Sequence, residues 1–182
     1  MKKNIFDEII LSEVRREEFA EVEKVIYHTL ESTLLNEKML AVLGEDAETM
    51  LTEEEDKLLA ADFLGSHGVA YKITHNQDVI GGVFITFNHV SHSGELVLFG
   101  LQPDYQGKGI GQRVWHYIED FYSNIELWEL VTPTAALLNI DFYINKCGFH
   151  IVEFMKATES FKWSFFKFEK RRKWKPKISQ SF

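Results

Sequence analysis

The chain has 182 residues, of which 45% are hydrophobic and 26% are charged, and its formal net charge is −8. This length suits one globular domain, and 15 Phe, 4 Trp and 6 Tyr residues supply a core, so the composition excludes a disordered chain. The single cysteine, Cys147, excludes an internal disulfide, and no apolar run approaches the roughly 20 residues that span a bilayer, so we expect a cytoplasmic protein that is not embedded in a membrane.

The charges are divided unevenly along the chain. Residues 162–182 carry a net charge of +7, which leaves −15 for residues 1–161. We therefore predict a single domain over residues 1–168 and a basic C-terminal tail over residues 169–182. An acidic body repels nucleic acid and membrane phosphates, so we expect neither as a partner. Association of nucleic acid with the basic cluster from Arg171 to Trp174 is the alternative to an ordinary solvated tail.

The first half of the chain predicts a strand, a helix and a hairpin. Ile9 to Leu11 is typical of a short strand, and apolar residues then repeat every three or four positions from Phe19 to Leu30, as in a helix with one buried face. Residues 34–63 are helical in propensity and acidic, which predicts an exposed helical flap. The segments from Val69 to Ile73 and from Val79 to Phe87 flank turn residues, so we predict a β-hairpin.

The second half predicts strands that alternate with helices. Glu95 to Leu101 is predicted to be a strand, and the apolar stripe from Ile110 to Tyr122 a helix. A strand from Trp128 to Val131 and a helix from Leu137 to Lys146 follow, and Gly148 ends this helix. Strand–helix–strand connections make the central strands parallel, whereas hairpins make their strands antiparallel, so the predicted sheet is mixed.

Two further strands are predicted to close the sheet, at residues 149–154 and 163–168. The last strand and the residues before it carry five aromatic side chains: Phe161, Trp163, Phe165, Phe166 and Phe168. Rings at this spacing occupy both faces of a strand, and a small sheet covers one face more easily than two. We therefore expect a homodimer.

The most informative stretch is a glycine-rich loop between the Glu95–Leu101 strand and the helix that follows it. The loop reads Gln-Gly-Lys-Gly-Ile-Gly over residues 106–111. Unpaired backbone N–H groups lie at the start of a helix, and glycine lets them approach an anion, so the loop predicts a phosphate cradle. A dinucleotide fingerprint would need glycine where Gln112 or Val114 stands, and no Walker-type string is present, which excludes these two kinds of nucleotide site.

The segment from Leu101 to Gly111 resembles the acetyl-CoA signature of the GCN5-related N-acetyltransferase (GNAT) superfamily, Gln/Arg-x-x-Gly-x-Gly/Ala after a strand and a short loop that contains proline. The string from Asp141 to Phe149 is similar to the same family's Phe-Tyr-x-x-x-Gly-Phe element. The resemblance implies an α/β (α+β) fold: a mixed, mostly antiparallel sheet of six or seven strands, flanked by about four helices, whose central parallel pair splays around an acyl-CoA.

The resemblance also implies an enzyme, an N-acetyltransferase with acetyl-CoA as its co-substrate. The acceptor would be a primary amine of a small molecule or a peptide, which attacks the thioester directly in a ternary complex. The alternative is a binding module that keeps the acyl-CoA cradle as a sensor or scaffold without turnover.

The cofactor is expected with its pantetheine arm in the splay and its pyrophosphate on the backbone N–H groups of the loop. The cofactor-binding residues that the resemblance implies are Phe99, Leu101, Gln106, Gly107, Lys108, Gly109, Ile110, Gly111, Asn139 and Tyr143. No metal site is predicted. Tyr143 stands five positions before Gly148, one more than in the family pattern, and an extra residue rotates a helix by about 100° unless a loose last turn absorbs it.

Acetyl transfer needs a base for the amine, a donor for the carbonyl oxygen and an acid for the departing thiolate. The resemblance places the donor at a backbone N–H near Leu101, and Tyr143 is the candidate acid, with a packed core aromatic as the alternative. Glu95 is the candidate base, directly or through a water, because partial burial would raise its pKa. A solvated charge at the strand end is the alternative for Glu95, and His89 and His92 in the preceding loop are rival bases.

Overall fold

The computed structural model describes residues 2–6, 8–34, 68–158 and 163–172. The predicted flap lies outside these ranges except for its first residue, and so do Phe161 and the tail after Arg172. The described residues form one sheet with helices on both of its faces.

Eight strands form the sheet. They are β1 (Lys2–Phe6), β2 (Ile9–Glu13), β3 (Gly68–His75), β4 (Asp78–Asn88), β5 (Ser93–Leu101), β6 (Leu127–Pro133), β7 (His150–Met155) and β8 (Phe165–Arg171). Their order is β1-β2-β3-β4-β5-β6-β8-β7, and every neighbouring pair is antiparallel except β5 and β6. The predicted mixed, mostly antiparallel sheet with a central parallel pair is confirmed. The eighth strand is β1, which lies at the sheet edge and has no alternating apolar pattern that would have predicted it.

Within the described residues, three α-helices pack on the sheet: α1 (Phe19–Leu34), α2 (Ile110–Phe121) and α3 (Leu137–Asp141). The last of these continues as a π-helical turn, Phe142–Cys147, so the helix predicted from Leu137 to Lys146 is present but changes type in its middle. Short 3₁₀ turns at Arg16–Glu18 and Pro103–Tyr105 precede α1 and the glycine loop. In the part of the chain that the structure describes, no helix is long and apolar enough to cross a membrane.

The sheet separates two apolar cores. On one face α2 packs against the strands, and the largest buried side chains of this core include Trp115, Trp128, Phe149 and Phe168. On the other face α1 packs on β3 and β4 through Phe19, Val22, Ile26, Ala70 and Phe84. Full burial of an apolar side chain of this size stabilises the fold by about 1.5–3 kcal/mol, so the two cores hold the central strands firmly from both sides.

The parallel pair is short and its strands then diverge. Residues 93–95 of β5 pair with residues 127–129 of β6, and the pairing ends at Glu95 and Glu129. Beyond that point β5 continues to Leu101 with β4 as its one partner among the described strands, and β6 continues with β8. The edge of β5 that faces β6 is therefore unpaired from residue 96 onward, which is the predicted splay.

The last strand extends past the predicted domain boundary. Residues 169–171 were assigned to a basic tail, but they belong to β8 and pair with residues 127–129 of β6. Their charges fit this position because side chains alternate between the two faces of the strand: Lys170 pairs with Glu119 on α2, and Glu169 faces the other way. The boundary at residue 168 thus falls inside a strand.

Most of the aromatic side chains expected at a dimer contact pack inside the domain instead. Phe168 is fully buried, Trp163 is nearly so, and the Phe166 ring packs on Phe154 with 5.7 Å between centroids. Among the exposed apolar side chains, four lie together on the edge strand β7: Ile151, Val152, Phe154 and Met155. The homodimer stays a prediction, and β7 is the apolar edge that the described residues offer for it.

Candidate active site

A cavity of about 690 Å³ opens at the end of β5, between the glycine loop, the start of α2 and the π-turn. Eight of the predicted site residues line it: Phe99, Leu101, Gln106, Gly107, Gly109, Gly111, Asn139 and Tyr143. The glycine motif and the tyrosine motif are more than 30 positions apart in sequence, and the fold brings both to the same space. This convergence is the main geometric feature of the site.

Two predicted cofactor residues do not line the cavity. The Ile110 side chain is buried in the core beneath α2, so only its backbone is available at the helix start. Lys108 is exposed, and its ammonium lies 5.7 Å from the centroid of the Tyr105 ring. Lys108 therefore covers Tyr105, which does line the cavity.

Several lining residues were missed by the sequence analysis. Tyr105 and Phe142 lie inside the two motifs, so their positions next to motif residues were a usable signal. Gln112 directly follows the glycine motif, and Lys146 lies inside the tyrosine motif. Thr29 comes from α1, and no sequence pattern links it to the site because only the tertiary fold brings α1 there.

The backbone of the glycine loop explains why its glycines are needed. Gly107 and Gly109 have φ values of 70° and 77°, in the left-handed region that residues with a side chain rarely adopt, and Gly109 is the N-cap of α2. Apart from the adjacent residues, a Cβ atom added at either position would meet no atom of the described residues within 4 Å. Open space thus faces the first unpaired N–H groups of α2, as a site for an anion requires.

Side chains fix the loop to its neighbours. Gln106 Nε2 donates a 2.7 Å hydrogen bond to the carbonyl oxygen of Leu101, which closes the loop over the end of β5. The Tyr105 hydroxyl lies 3.1 Å from Nδ1 of His75, at the end of β3, and Gln102 Nε2 donates to the carbonyl oxygen of Val79. The hairpin of β3 and β4 therefore holds the residues that precede the glycine loop through these two contacts.

The π-turn accommodates the extra residue before Gly148. Gly148 has a φ of 77° and its N–H donates to the carbonyl oxygen of Tyr143, five residues back, where an α-helix would use the fourth. The N–H of Phe149 donates to the same oxygen at 2.9 Å. The wider turn accommodates the extra residue between Tyr143 and Gly148. Tyr143 therefore lines the cavity despite the altered spacing. This is the loose last turn that the sequence analysis gave as the way to absorb the extra residue.

The Tyr143 ring is packed on three sides. Its centroid lies 5.3 Å from that of Phe142 and 6.0 Å from those of Phe149 and Phe168. Burial raises the pKa of the Tyr143 phenol above its ordinary value, and the neighbouring Cys147 acts in the same direction. The phenol is thus fully protonated at neutral pH.

Glu95 lies at the base of the splay, where β5 and β6 begin to diverge, and does not line the cavity. The first lining residue on β5 is Phe99, about 13 Å further along the strand at 3.3 Å per residue. The Glu95 side chain is exposed, but the protein atoms around its carboxyl group partly desolvate it and raise its pKa. Glu129 opposite raises this pKa further, and Lys167 opposes the shift. His89 and His92 lie in the turn between β4 and β5, also away from the lining.

Comparison with known proteins identifies the family. Residues 33–149, more than half of the chain, match the model of the Acetyltransferase (GNAT) family. The chain belongs to the GNAT family. It is also 39% identical over 105 residues to the uncharacterized protein YrkN of Bacillus subtilis (strain 168), a match that covers 58% of this chain and 57% of YrkN. The match thus spans less than two thirds of that relative's length.

Solved GNAT structures share the fold. The PaiA N-acetyltransferase from Thermoplasma acidophilum in complex with coenzyme A is 18% identical with a TM-score of 0.66, over 90% of this chain and 99% of that one. The spermidine N-acetyltransferase from Vibrio cholerae in complex with CoA and spermine is 14% identical with a TM-score of 0.64, over 91% and 96%. The ribosomal-protein-S18-alanine N-acetyltransferase from Escherichia coli is 13% identical with a TM-score of 0.63, over 93% and 97%.

Proposed function

We propose that this GNAT protein transfers an acetyl group from acetyl-CoA to a primary amine of a small molecule or a peptide. The observation that carries the proposal is the shared cavity, which is lined both by the glycine loop and by Tyr143. Similar folds in proteins that bind CoA support the cofactor class.

The residues present fit an acyl-CoA. The open space in front of Gly107 and Gly109 suits a pyrophosphate, because the backbone N–H groups at the start of α2 point to it and the helix dipole favours negative charge there. The unpaired edge of β5 up to Leu101 offers backbone donors and acceptors to an extended pantetheine arm. Lys146, which also lines the cavity, adds a positive charge.

The thioester of bound acetyl-CoA supplies the activated acetyl group. A backbone N–H near Leu101 would stabilise the carbonyl oxygen as negative charge develops on it. Tyr143 would hold a proton on its hydroxyl and release it to the departing thiolate. Burial raises the pKa of this phenol, which makes the release less favourable than from an exposed tyrosine, so the thiolate must form close to the hydroxyl. The tight packing around its ring limits the positions that the hydroxyl can take.

Glu95 remains our proposed base, acting through water rather than directly. Its raised pKa makes this carboxylate a stronger base than an ordinary glutamate. Because the cavity lining on β5 begins at Phe99, about 13 Å along the strand from Glu95, the proton would travel between the amine and the carboxylate through a chain of waters. His89 and His92 are the rival bases, at the same end of the sheet.

A second candidate function is acyl-CoA binding without turnover, as a sensor or scaffold. The observation that favours it is the absence of Glu95, His89 and His92 from the residues that line the cavity in the described part of the chain. In that case the cavity would bind CoA, and no amine would be acetylated.

A paired experiment separates the two functions. Thermal unfolding with CoA or acetyl-CoA measures binding, and a thiol-release screen over polyamines, aminoglycosides, amino acids and peptide N-termini measures turnover, with mass spectrometry of the acceptor as confirmation. Stabilisation with acceptor-dependent thiol release supports the enzyme. Stabilisation with no thiol release for any amine supports the sensor, and no stabilisation by either ligand at millimolar concentration contradicts the cofactor assignment.

A further inference from the structure

Two side chains from outside the π-turn bind its last carbonyl groups. The final carbonyl groups of a helix have no partner within the helix. Here Gln112 Nε2, on α2, donates to the carbonyl oxygen of Lys146 at 3.0 Å, and Lys170 Nζ, on β8, donates to that of Cys147 at 2.7 Å. Two consecutive carbonyl groups are thus held by two different elements of the fold.

Lys170 is itself held in place. Its ammonium also donates to Glu119 Oε2 at 2.6 Å, and the side chains of Lys170 and Glu119 are only 19% and 14% exposed. Glu119 and Gln112 are seven residues apart on α2, which is about two helical turns, so both face the same side of the helix. One face of α2 therefore supports the turn both directly and through Lys170.

The same strand also supports the Tyr143 ring. Phe168 lies two residues before Lys170 on β8, so both side chains are on one face of the strand. The Phe168 ring packs on Tyr143, and the Lys170 ammonium reaches the carbonyl group four residues beyond Tyr143. Tyr143 is thus supported through its ring and through the backbone of its own turn.

We propose that Gln112 and Lys170 are positioning residues that keep the π-turn in its wide form and so keep the Tyr143 hydroxyl in the cavity, with Glu119 orienting Lys170. The proposal rests on the proposed role of Tyr143 as the acid. An ordinary α-helical turn would shift the register by one residue, and one residue corresponds to a rotation of about 100° around the helix axis. In the observed π-helical register, Gln112 and Lys170 donate to the carbonyl groups of Lys146 and Cys147. An α-helical register would move these carbonyl groups away from the two donors.

The first test is Lys170→Met, which keeps a long apolar chain but removes the donor and the charge. We expect kcat to fall by between about tenfold and 100-fold, because a displacement of about 1 Å in a catalytic group has an effect of this size. The KM for acetyl-CoA and the stabilisation by CoA should stay as in the wild type. Lys72→Met is the matched control, because Lys72 forms an ion pair of 2.5 Å with Glu18, with side chains 21% and 22% exposed, away from the cavity lining.

A double variant separates positioning from general loss of stability. If Lys170 acts through Tyr143, then Lys170→Met adds nothing to the loss caused by Tyr143→Phe, whereas independent effects would multiply. Lys170→Arg keeps a donor and a charge and should restore most of kcat. Multiplying effects, or a kcat for Lys170→Met equal to that of Lys72→Met, would overturn the proposal.

A spectroscopic readout needs no turnover. In protein labelled with ¹³Cζ-tyrosine, the Tyr143 signal is assigned by its loss in Tyr143→Phe. We expect this signal to move or broaden in Lys170→Met and in Gln112→Leu, and to stay unchanged in Lys72→Met. An unchanged signal in both test variants would show that the turn does not need the two donors.

The acetyltransferase function and the positioning role of Gln112 and Lys170 can be contradicted by different results. A wild-type protein that releases no thiol with any amine contradicts the acetyltransferase, and the tyrosine signal still decides whether Gln112 and Lys170 position Tyr143. If Lys170→Met does not fold, Gln112→Leu carries the same test, because Gln112 lies on the surface of α2 and its loss removes one donor to the turn.

Discussion

The glycine loop and the π-turn line the same cavity but depend on their surroundings in different ways. The loop follows the family motif residue for residue, and its shape is set locally by positive φ angles at Gly107 and Gly109 and by the bond from Gln106 to Leu101. The π-turn departs from the motif by one residue, and side chains from α2 and β8 bind its end. A local motif can be read from sequence alone, whereas the effect of an inserted residue depends on the elements packed around it.

The largest effect is expected at the centre of the π-turn. Tyr143→Phe keeps the ring and its packing but removes the proton, so kcat should fall by about 10²- to 10⁴-fold, the usual contribution of a general acid. Steady-state kinetics on an acceptor found in the thiol-release screen measures this. The CoA-induced rise in Tm should be as large as in the wild type, because the glycine loop is untouched.

An unchanged kcat in Tyr143→Phe would show that water protonates the thiolate. The control for lost stability is Tyr117→Phe, on α2, which removes a phenol hydroxyl from a residue that does not line the cavity. Its kcat should match that of the wild type.

The contact between the two regions can be broken at Gly111. A Cβ atom there would lie 3.3 Å from the Phe142 ring and 3.5 Å from Leu101 Cδ1, so a larger side chain would push α2 away from the π-turn. Gly111→Leu should lower the free energy of unfolding by about 1–3 kcal/mol, as overpacking commonly does. Denaturant unfolding measures this change. Gly111→Ala is the control and should be close to neutral, because its small displacement is offset by better helix propensity.

A substitution at Gly148, at the end of the π-turn, tests the cost of its left-handed backbone conformation. Gly148 has a φ of 77°, and its Cβ would meet only Lys170, at an ordinary 3.7 Å, so a side chain there adds strain without a clash. Gly148→Ala should lower the free energy of unfolding by about 1–2 kcal/mol. Gly148→Asn should lower it less, because asparagine tolerates this conformation better. Equal losses for Ala and Asn in denaturant unfolding would contradict the left-handed cap.

The smallest expected change in stability is at Glu95. Its raised pKa means that the folded state binds the proton more tightly than the unfolded state, so this group favours folding at low pH and the benefit is lost as the pH rises through the folded pKa. The free energy of unfolding of Glu95→Gln, relative to the wild type, should therefore be greater at about pH 7 than at about pH 4. A difference that shrinks as the pH rises would contradict the raised pKa.

Kinetics on Glu95→Gln tests its proposed role. If Glu95 is the base, its loss flattens the acidic limb of the pH–rate profile. An unchanged acidic limb would leave His89 or His92 as the base.

The strands and helices that carry a clear apolar pattern were predicted correctly, from the β3–β4 hairpin to the strand–helix alternation after β5. The edge strand β1 was missed because edge strands need no alternating apolar face. The end of β8 was assigned to the tail because its charges resemble solvated residues, although Lys170 is held by Glu119. A local apolar pattern predicts local structure. The two errors lie where pairing with residues distant in sequence determines whether a segment is a strand.

The candidate site shows the same difference between positions set by local sequence and positions set by tertiary packing. Seven of the eight lining residues that were predicted belong to β5 or to the two motifs, and the eighth, Asn139, lies two residues before the second motif. At these positions the spacing along the sequence determines where the residues lie. Thr29, Gln112 and Lys170 were not predicted, because their positions depend on how α1, α2 and β8 pack. Glu95 was chosen by its spacing from the motif along one strand, and spacing alone did not show that the cavity lining begins at Phe99.

The most direct test of the central claim, that the glycine loop binds the pyrophosphate of CoA, is calorimetric titration of Gly109→Glu with CoA. At a hundredfold excess over Kd, a single-site ligand adds about 2.7 kcal/mol to the stability of the wild type. The variant places a carboxylate in the open space before α2, so it should show no binding, whereas Gly109→Ala should show weakened binding. Binding of CoA to Gly109→Glu with the wild-type affinity would contradict the assignment of this loop.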